Sequence, residues 1–207
     1  MPYRTRLFID FWNFSLNWNG RVKKDTNQGC DWLKLPGAIL ARSQLLLAPL
    51  GDPTPLQLEE TLVYASVESG KDSKLIGWLD NFLDRQASFR VIRRERQSRP
   101  FSVHCRECGQ ETSVCPSCGK GLRRAVEKGI DTAIVTDLLT LAWQDAFDVA
   151  VLLSSDADFI PAVQRIQERG LKIINASWAQ HGHELKRACW ASFDLDQIAP
   201  QIVRLAT

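Results

Sequence analysis

Apolar and polar positions divide the chain into segments of two periods. Leu7, Phe8 and Ile9 form a short apolar run that ends on an acid, Asp10. This is the pattern of a parallel strand buried on both faces whose last residue emerges at the sheet edge. A polar stretch, 17–29, precedes a helical segment over 31–48, with Leu33, Ile39, Leu40, Leu46 and Leu47 as expected core contacts. Gly51-Asp52-Pro53-Thr54-Pro55 breaks it. Residues 61–66 read as a second strand and 73–86 as a helix, since Leu75, Ile76, Leu79, Phe82 and Leu83 recur at helical spacing. A third strand follows over 89–92. Beyond a compositionally different stretch, 130–144 predicts a helix, 149–153 an almost purely aliphatic fourth strand, and 159–169 a helix with Pro161 in its first turn. Gly170 closes that helix and 171–175 makes a fifth strand. Helical stretches over 184–189 and 195–205 are expected to pack on the sheet.

Strands alternating with helices imply an α/β fold, a doubly wound parallel sheet of about five strands, because parallel neighbours need crossovers. In such a sheet the strand C-termini and the helix N-termini share one edge, where ligands bind. Asp10 ends the first strand, Asp156 follows the fourth, Asp131 opens the helix over 130–144, and Asp158 starts the helix after the fourth strand. All four acids are therefore expected on one side.

Composition narrows the class. At 207 residues and 44% hydrophobic content the chain can bury one large core, or one core carrying a small insertion. Residues 1–207 are read as one domain with an insertion at 101–124. The 26 basic and 24 acidic residues give a formal charge of +2, which by itself argues for neither nucleic acid nor membrane. No apolar run approaches the roughly 18 residues of a membrane span, and the N-terminus lacks a leader pattern. A soluble, cytoplasmic protein is expected.

Carboxylates brought together repel one another unless a cation lies between them. Hard oxygen ligands favour Mg²⁺ or Mn²⁺, ions that polarise a phosphoryl oxygen and activate a water. The plainer reading of Asp156 and Asp158 is helix capping, for which Asp is well suited, but capping does not account for Asp10 on the same edge.

Three separated motifs, Asp10-Phe11-Trp12-Asn13-Phe14, Lys128-Gly129-Ile130-Asp131 with Asp137, and Ser154-Ser155-Asp156-Ala157-Asp158-Phe159-Ile160-Pro161, resemble those of the NYN nucleases of the wider PIN-like group. The resemblance runs from Leu7 to Asn175. It implies a Mg²⁺- or Mn²⁺-dependent nuclease, usually acting on RNA and leaving a 5′-phosphate, with Asp10, Asp131, Asp156 and Asp158 as metal-binding acids and Asn13 orienting a water or phosphate. Asp10 and Asp156 would be the central ligands. Ser154 and Asp137 are assigned supporting roles; Asp137 lies six residues after Asp131, about 120° around the helix, so one ion cannot easily use both. Lys128 is read either as a phosphate ligand or as a solvated lysine beside a glycine turn.

The stretch between the third strand and the 130–144 helix departs from the family pattern. Cys105-Arg106-Glu107-Cys108-Gly109 and Cys115-Pro116-Ser117-Cys118-Gly119 are two copies of one knuckle. Four thiolates so spaced suit a closed structural Zn²⁺ site, and metal is favoured over disulfides in a reducing compartment. Cys30 and Cys189 are left as buried or free thiols. Arg93, Arg94, Arg96, Arg99, Arg123 and Arg124 flank the knuckles, either gripping a nucleic-acid backbone beside the acids or forming a solvated charge run around a structural zinc clip. Trp12, Phe14 and Trp18 are core residues or base-stacking groups. His181 and His183 are a weak metal signal.

The expected partner is nucleic acid, RNA in preference to DNA, with self-association admitted and no membrane. Two competing readings are kept: a PIN-like module that binds RNA or protein without cutting, and a nuclease acting on structured DNA.

Overall fold

The computed structural model describes residues 1–126 and 129–204, the side chains of Leu50 and Ala125 apart; the candidate Lys128 lies outside the described residues. In chain order the elements are β1 (Tyr3–Asp10), α1 (Phe11–Trp18), a short α2 turn (Lys24–Thr26), α3 (Leu35–Leu47), β2 (Leu56–Val67), α4 (Ser73–Trp78) and β3 (Phe89–Glu95). The inserted strands β4 (Gln97–Pro100), β5 (Val103–His104), β6 (Glu111–Thr112) and β7 (Arg123–Val126) follow. The second half holds α5 (Ile130–Trp143), β8 (Val149–Leu153), α6 (Ile160–Gln167), β9 (Lys172–Ser177), α7 (His183–Ala188) and β10 (Ala191–Asp194).

Six strands form one sheet in the order β10-β9-β8-β1-β2-β3, and every neighbouring pair is parallel. The doubly wound α/β reading holds, with one strand more than expected. The sixth is β10, in a region read as helical tail; residues 195–201 there form two short 3₁₀ turns instead of a helix, and Leu205 lies outside the described residues. The edge of β9 offers unpaired N–H and C=O groups, and Ala191–Asp194 pairs with it over Ile174–Ser177.

Leu7, Ile9, Val63, Ala65, Val149 and Val151 pack under α1, α3 and α4, whereas Phe8, Leu62, Tyr64, Ala150 and Leu152 pack under α5, α6 and α7. Both faces of the central strands are thus covered, which is why β8 is apolar at every position. Helix α1 was not expected. Its Phe11, Phe14 and Trp18 are buried in the first core layer, so Phe14 and Trp18 are packing residues and not stacking platforms. Two expected core contacts are exposed: Leu33 (49%), which precedes α3, and Phe82 (41%), in the π-helical turn Leu79–Leu83 that follows α4. That wider turn aims Leu79 and Leu83 inward and leaves Phe82 outside.

The insertion leaves the sheet at the C-terminal end of β3. Strands β4 and β7 pair antiparallel as a stalk, and each knuckle closes a small hairpin beyond it, one through β5 and β6 and one through the Val114–Gly121 bridge.

Candidate active site

Sequence order along the sheet reverses between β1 and β8, since β2 and β3 lie to one side of β1 and β8, β9 and β10 to the other. At such a switch point the crossovers diverge to opposite faces and open a crevice at the strand C-termini. Asp10 and the loop bearing Asp156 leave the sheet there.

The fully buried run Leu7–Ile9 delivers Asp10, only 8% exposed, to the first turn of α1. Its Oδ1 accepts the Asn13 N–H at 3.1 Å, an N-cap. Its Oδ2 accepts from the Ser154 hydroxyl at 3.4 Å. Ser154, buried at the end of β8, also accepts the Asp156 N–H at 3.3 Å, so one hydroxyl links the Asp10 carboxylate to the Asp156 backbone. The Asn13 side chain bonds Ser155, with Nδ2 donating to Oγ at 2.9 Å and Oδ1 accepting the backbone N–H at 3.2 Å. The first turn of α1 and the loop after β8 are therefore laced together over Asp10.

Asn175, fully buried on β9, extends this lacing: its Nδ2 donates to the carbonyls of Leu152 (3.1 Å) and Ser154 (2.9 Å), and its Oδ1 accepts from Ser177 Oγ at 2.9 Å. Gly182, just before α7, presses on the same loop. A Cβ there would lie 2.9 Å from Ser155 Cα, and its φ of +67° suits glycine. Sequence reading missed the roles of Ser155, Asn175 and Gly182; the adjacent serines and a buried-strand asparagine were the only signals.

Asp156 Oδ1 accepts the Asp158 N–H at 3.0 Å, so Asp156 does cap the following 3₁₀ turn, while its Oδ2 meets no donor among the described residues. Asp158 is exposed on that turn, and Asp131 is exposed in the first turn of α5. The topology puts all four acids at the strand C-terminal edge. Among the described residues, however, no three or more His, Cys, Asp or Glu side chains gather into a group that would hold a metal ion. Asp137 faces the sheet and accepts from the Tyr64 hydroxyl at 2.9 Å; Tyr64 is the β2 residue directly opposite Asp10. Burial first, and the Asp137 carboxylate second, push the Tyr64 phenol well above its ordinary range, so it remains a donor.

The knuckles are two preformed pairs. In each, the first cysteine is held by backbone bonds (Cys105 N–H to Gln110 O, Cys115 N–H to Lys120 O, both 2.8 Å), and the glycine after the second has positive φ. N–H groups of Cys108 and Glu107 hold the Cys105 thiol below its ordinary range, and those of Cys118 and Ser117 do the same for Cys115. These bonds fix the sulfurs within each hairpin but do not tie one pair to the other. Among the described residues the four sulfurs do not gather into one group that would hold an ion. All six cysteines are free thiols; burial pushes Cys189 up to about 12 and Cys30 higher still.

The arginines divide into roles. Arg93 pairs with Asp80 at 3.2 Å, and Arg123 bonds Ser98 through both its Oγ and its carbonyl. Arg96 donates to Ser66 Oγ at 2.8 Å and lies over the Trp12 ring at 4.5 Å, while the Trp12 indole N–H donates to the Ser66 carbonyl. Trp12 thus seats the foot of the stalk beside Asp10. Arg94, Arg99 and Arg124 are exposed.

No helix among the described residues is long and apolar enough to cross a membrane. The fold is similar to the crystal structure of a protein of unknown function from Vibrio parahaemolyticus, with a TM-score of 0.55 at 14% identity over 98% of this chain and 97% of that one. No curated protein matches the sequence. The NYN domain family matches residues 54–196, a span that holds Asp131, Asp156 and Asp158 and begins after Asp10. The chain belongs to the NYN domain family, which is of nuclease type.

Proposed function

We propose that this protein is a Mg²⁺- or Mn²⁺-dependent nuclease that hydrolyses phosphodiester bonds, with RNA as its preferred substrate. The observation that carries the reading is the buried Asp10 at the switch point, joined through Ser154 to the loop that presents Asp156.

The donor chemistry fits a hard divalent ion. Mg²⁺ keeps several waters and is commonly held by one or two carboxylates together with substrate phosphates, so a site built on Asp10 and Asp156 does not need a closed protein cage. Asp131 and Asp158 would complete the surroundings at the rim. When bound, the ion would supply charge for the phosphoryl oxygens and a water of lowered pKa. Asp10 is held in place by the Asn13 N–H and the Ser154 hydroxyl, which limits the geometric freedom of its two oxygens. Asn13, fixed by Ser155, would orient a water or a phosphate oxygen through the second hydrogen of its Nδ2. Asn175 holds the end of β8 so that Asp156 emerges at a constant height. RNA is preferred through the family likeness.

The two knuckles would hold one structural Zn²⁺ between them, since paired thiolates with N–H groups facing the sulfur are the donors such an ion takes. The ion would replace an apolar core in hairpins that bury little.

Labelled single- and double-stranded RNA and DNA, incubated with Mg²⁺, Mn²⁺ or chelator, test the reading. Cutting of RNA is expected with either ion and is expected to vanish with chelator and in Asp156→Asn. Binding without cutting by the unaltered protein would support a non-catalytic NYN module, a reading favoured by the absence of three converged acids among the described residues.

A further inference from the structure

The stalk carries an arrangement that costs stability unless an anion joins it. Arg99 on β4 and Arg124 on β7 are direct partners in the antiparallel register, so their side chains leave the ribbon on the same face. Like charges placed directly across a strand pair are destabilising. Among the described residues neither is ion-paired to a carboxylate: Arg99 donates to Gln97 Oε1, at 3.0 Å on the same face, and Arg124 makes no side-chain hydrogen bond to any of them. Arg123 contrasts with both, being turned to the other face and tied to Ser98. Arg99 also lines an open cleft of about 480 Å³ at the foot of the stalk, together with Arg96, Ser98, Glu68 and Glu95. Glu95 ends β3, and Glu68 follows β2. Arg99 therefore stands at the strand C-terminal edge to which Arg96 and Trp12 bind the stalk, with Arg124 across the ribbon from it.

We propose that Arg99 and Arg124 form a phosphate clamp that takes the sugar-phosphate backbone of the nucleic-acid substrate outside the aspartate site. The inference rests on the nuclease reading and adds to it where the strand is held. Guanidinium pairs suit phosphate because their forked N–H groups bind its oxygens two at a time. Phosphate contacts position a strand without reading its bases, so the clamp is sequence-independent. It also supplies positive charge at the same strand C-terminal edge as the acids, which alone would repel a polyanion.

The test is the salt dependence of binding by the full chain. Fluorescence anisotropy with labelled single-stranded RNA, across a series of salt concentrations, compares the unaltered protein with the double variant Arg99→Gln/Arg124→Gln. Arg99→Lys/Arg124→Lys serves as the charge-retaining variant, and Arg85→Gln, exposed near the start of β3 at the opposite edge, as the control. Loss of two phosphate contacts is expected to lower the slope of log K against log salt by about 1.4 for a single strand. Affinity at low salt should fall by an order of magnitude or more, while the lysine variant keeps most of the slope. An unchanged slope and affinity in the glutamine variant, with its thermal transition intact, would overturn the clamp. So would failure of the unaltered protein to bind any nucleic acid at low salt. A slope change without strand cleavage would leave the clamp standing and overturn the nuclease reading alone.

Discussion

The hydroxyl of Ser154 lies 3.4 Å from Asp10 Oδ2 and at the same time accepts the Asp156 N–H at 3.3 Å. The two central acids of the proposed site are thus related through one buried side chain just beyond the end of β8. Removing it should leave the fold, because β8 is held by β1 and β9, but should loosen the two acids relative to each other. Ser154→Ala is expected to lower nuclease activity by about 10- to 100-fold, as loss of groups that orient metal ligands commonly does. Activity equal to that of the unaltered protein would show that the link does not matter.

Gly182 is the contact most sensitive to a single methyl. Alanine would be strained at φ +67°, by about 1–2 kcal/mol, and its Cβ would press on the Ser155 backbone. Gly182→Ala should lower the unfolding midpoint and reduce activity together. An unaltered midpoint with normal cutting would count against the packing of this turn on the Ser155 loop.

At the opposite edge of the sheet, Asp148 accepts from the Arg4 guanidinium at 2.9 and 3.1 Å and from the Arg4 backbone N–H at 2.8 Å. The guanidinium holds the Asp148 carboxyl below the ordinary range. Because the folded value is depressed, the stabilisation is fully present above the unfolded value of about 3.9 and is lost as pH falls through the folded value. Asp148→Asn should cost about 1 kcal/mol at neutral pH, allowing for solvent screening of a partly exposed pair. The difference from the unaltered protein should close below about pH 4, which thermal melts across that range would read.

For the knuckles, purified protein is expected to contain about one zinc per chain, and Cys105→Ser to lose it. The sheet should survive, since both core layers lie outside the insertion. Metal analysis with limited proteolysis of residues 101–124 checks this. Full zinc retention in Cys105→Ser would overturn the site.

Much of this protein follows from local sequence. The aliphatic runs at Leu7–Ile9 and Val149–Leu153 are legible as strands because a strand buried on both faces has no polar side to display. Asp10 and Asp156 are legible as edge residues because each follows such a run. The knuckle glycines mark tight turns beside the cysteines by themselves. Helix α1 was readable too, from Phe11, Phe14 and Trp18 at spacings of three and four behind an N-capping Asp10, although the polar residues that follow it obscured the pattern. What only the tertiary structure decided are relationships between distant segments. The β1–β8 neighbourhood sets the switch point, β10 pairs with Ile174–Ser177 of β9, Asn175 reaches the carbonyls of Leu152 and Ser154, and Gly182 meets Ser155. The sorting of the arginines, with Arg93 and Arg123 occupied and Arg99 set directly across from Arg124, depends on strand register. A residue's period and type fix which face it needs to bury, but not which segment it meets there.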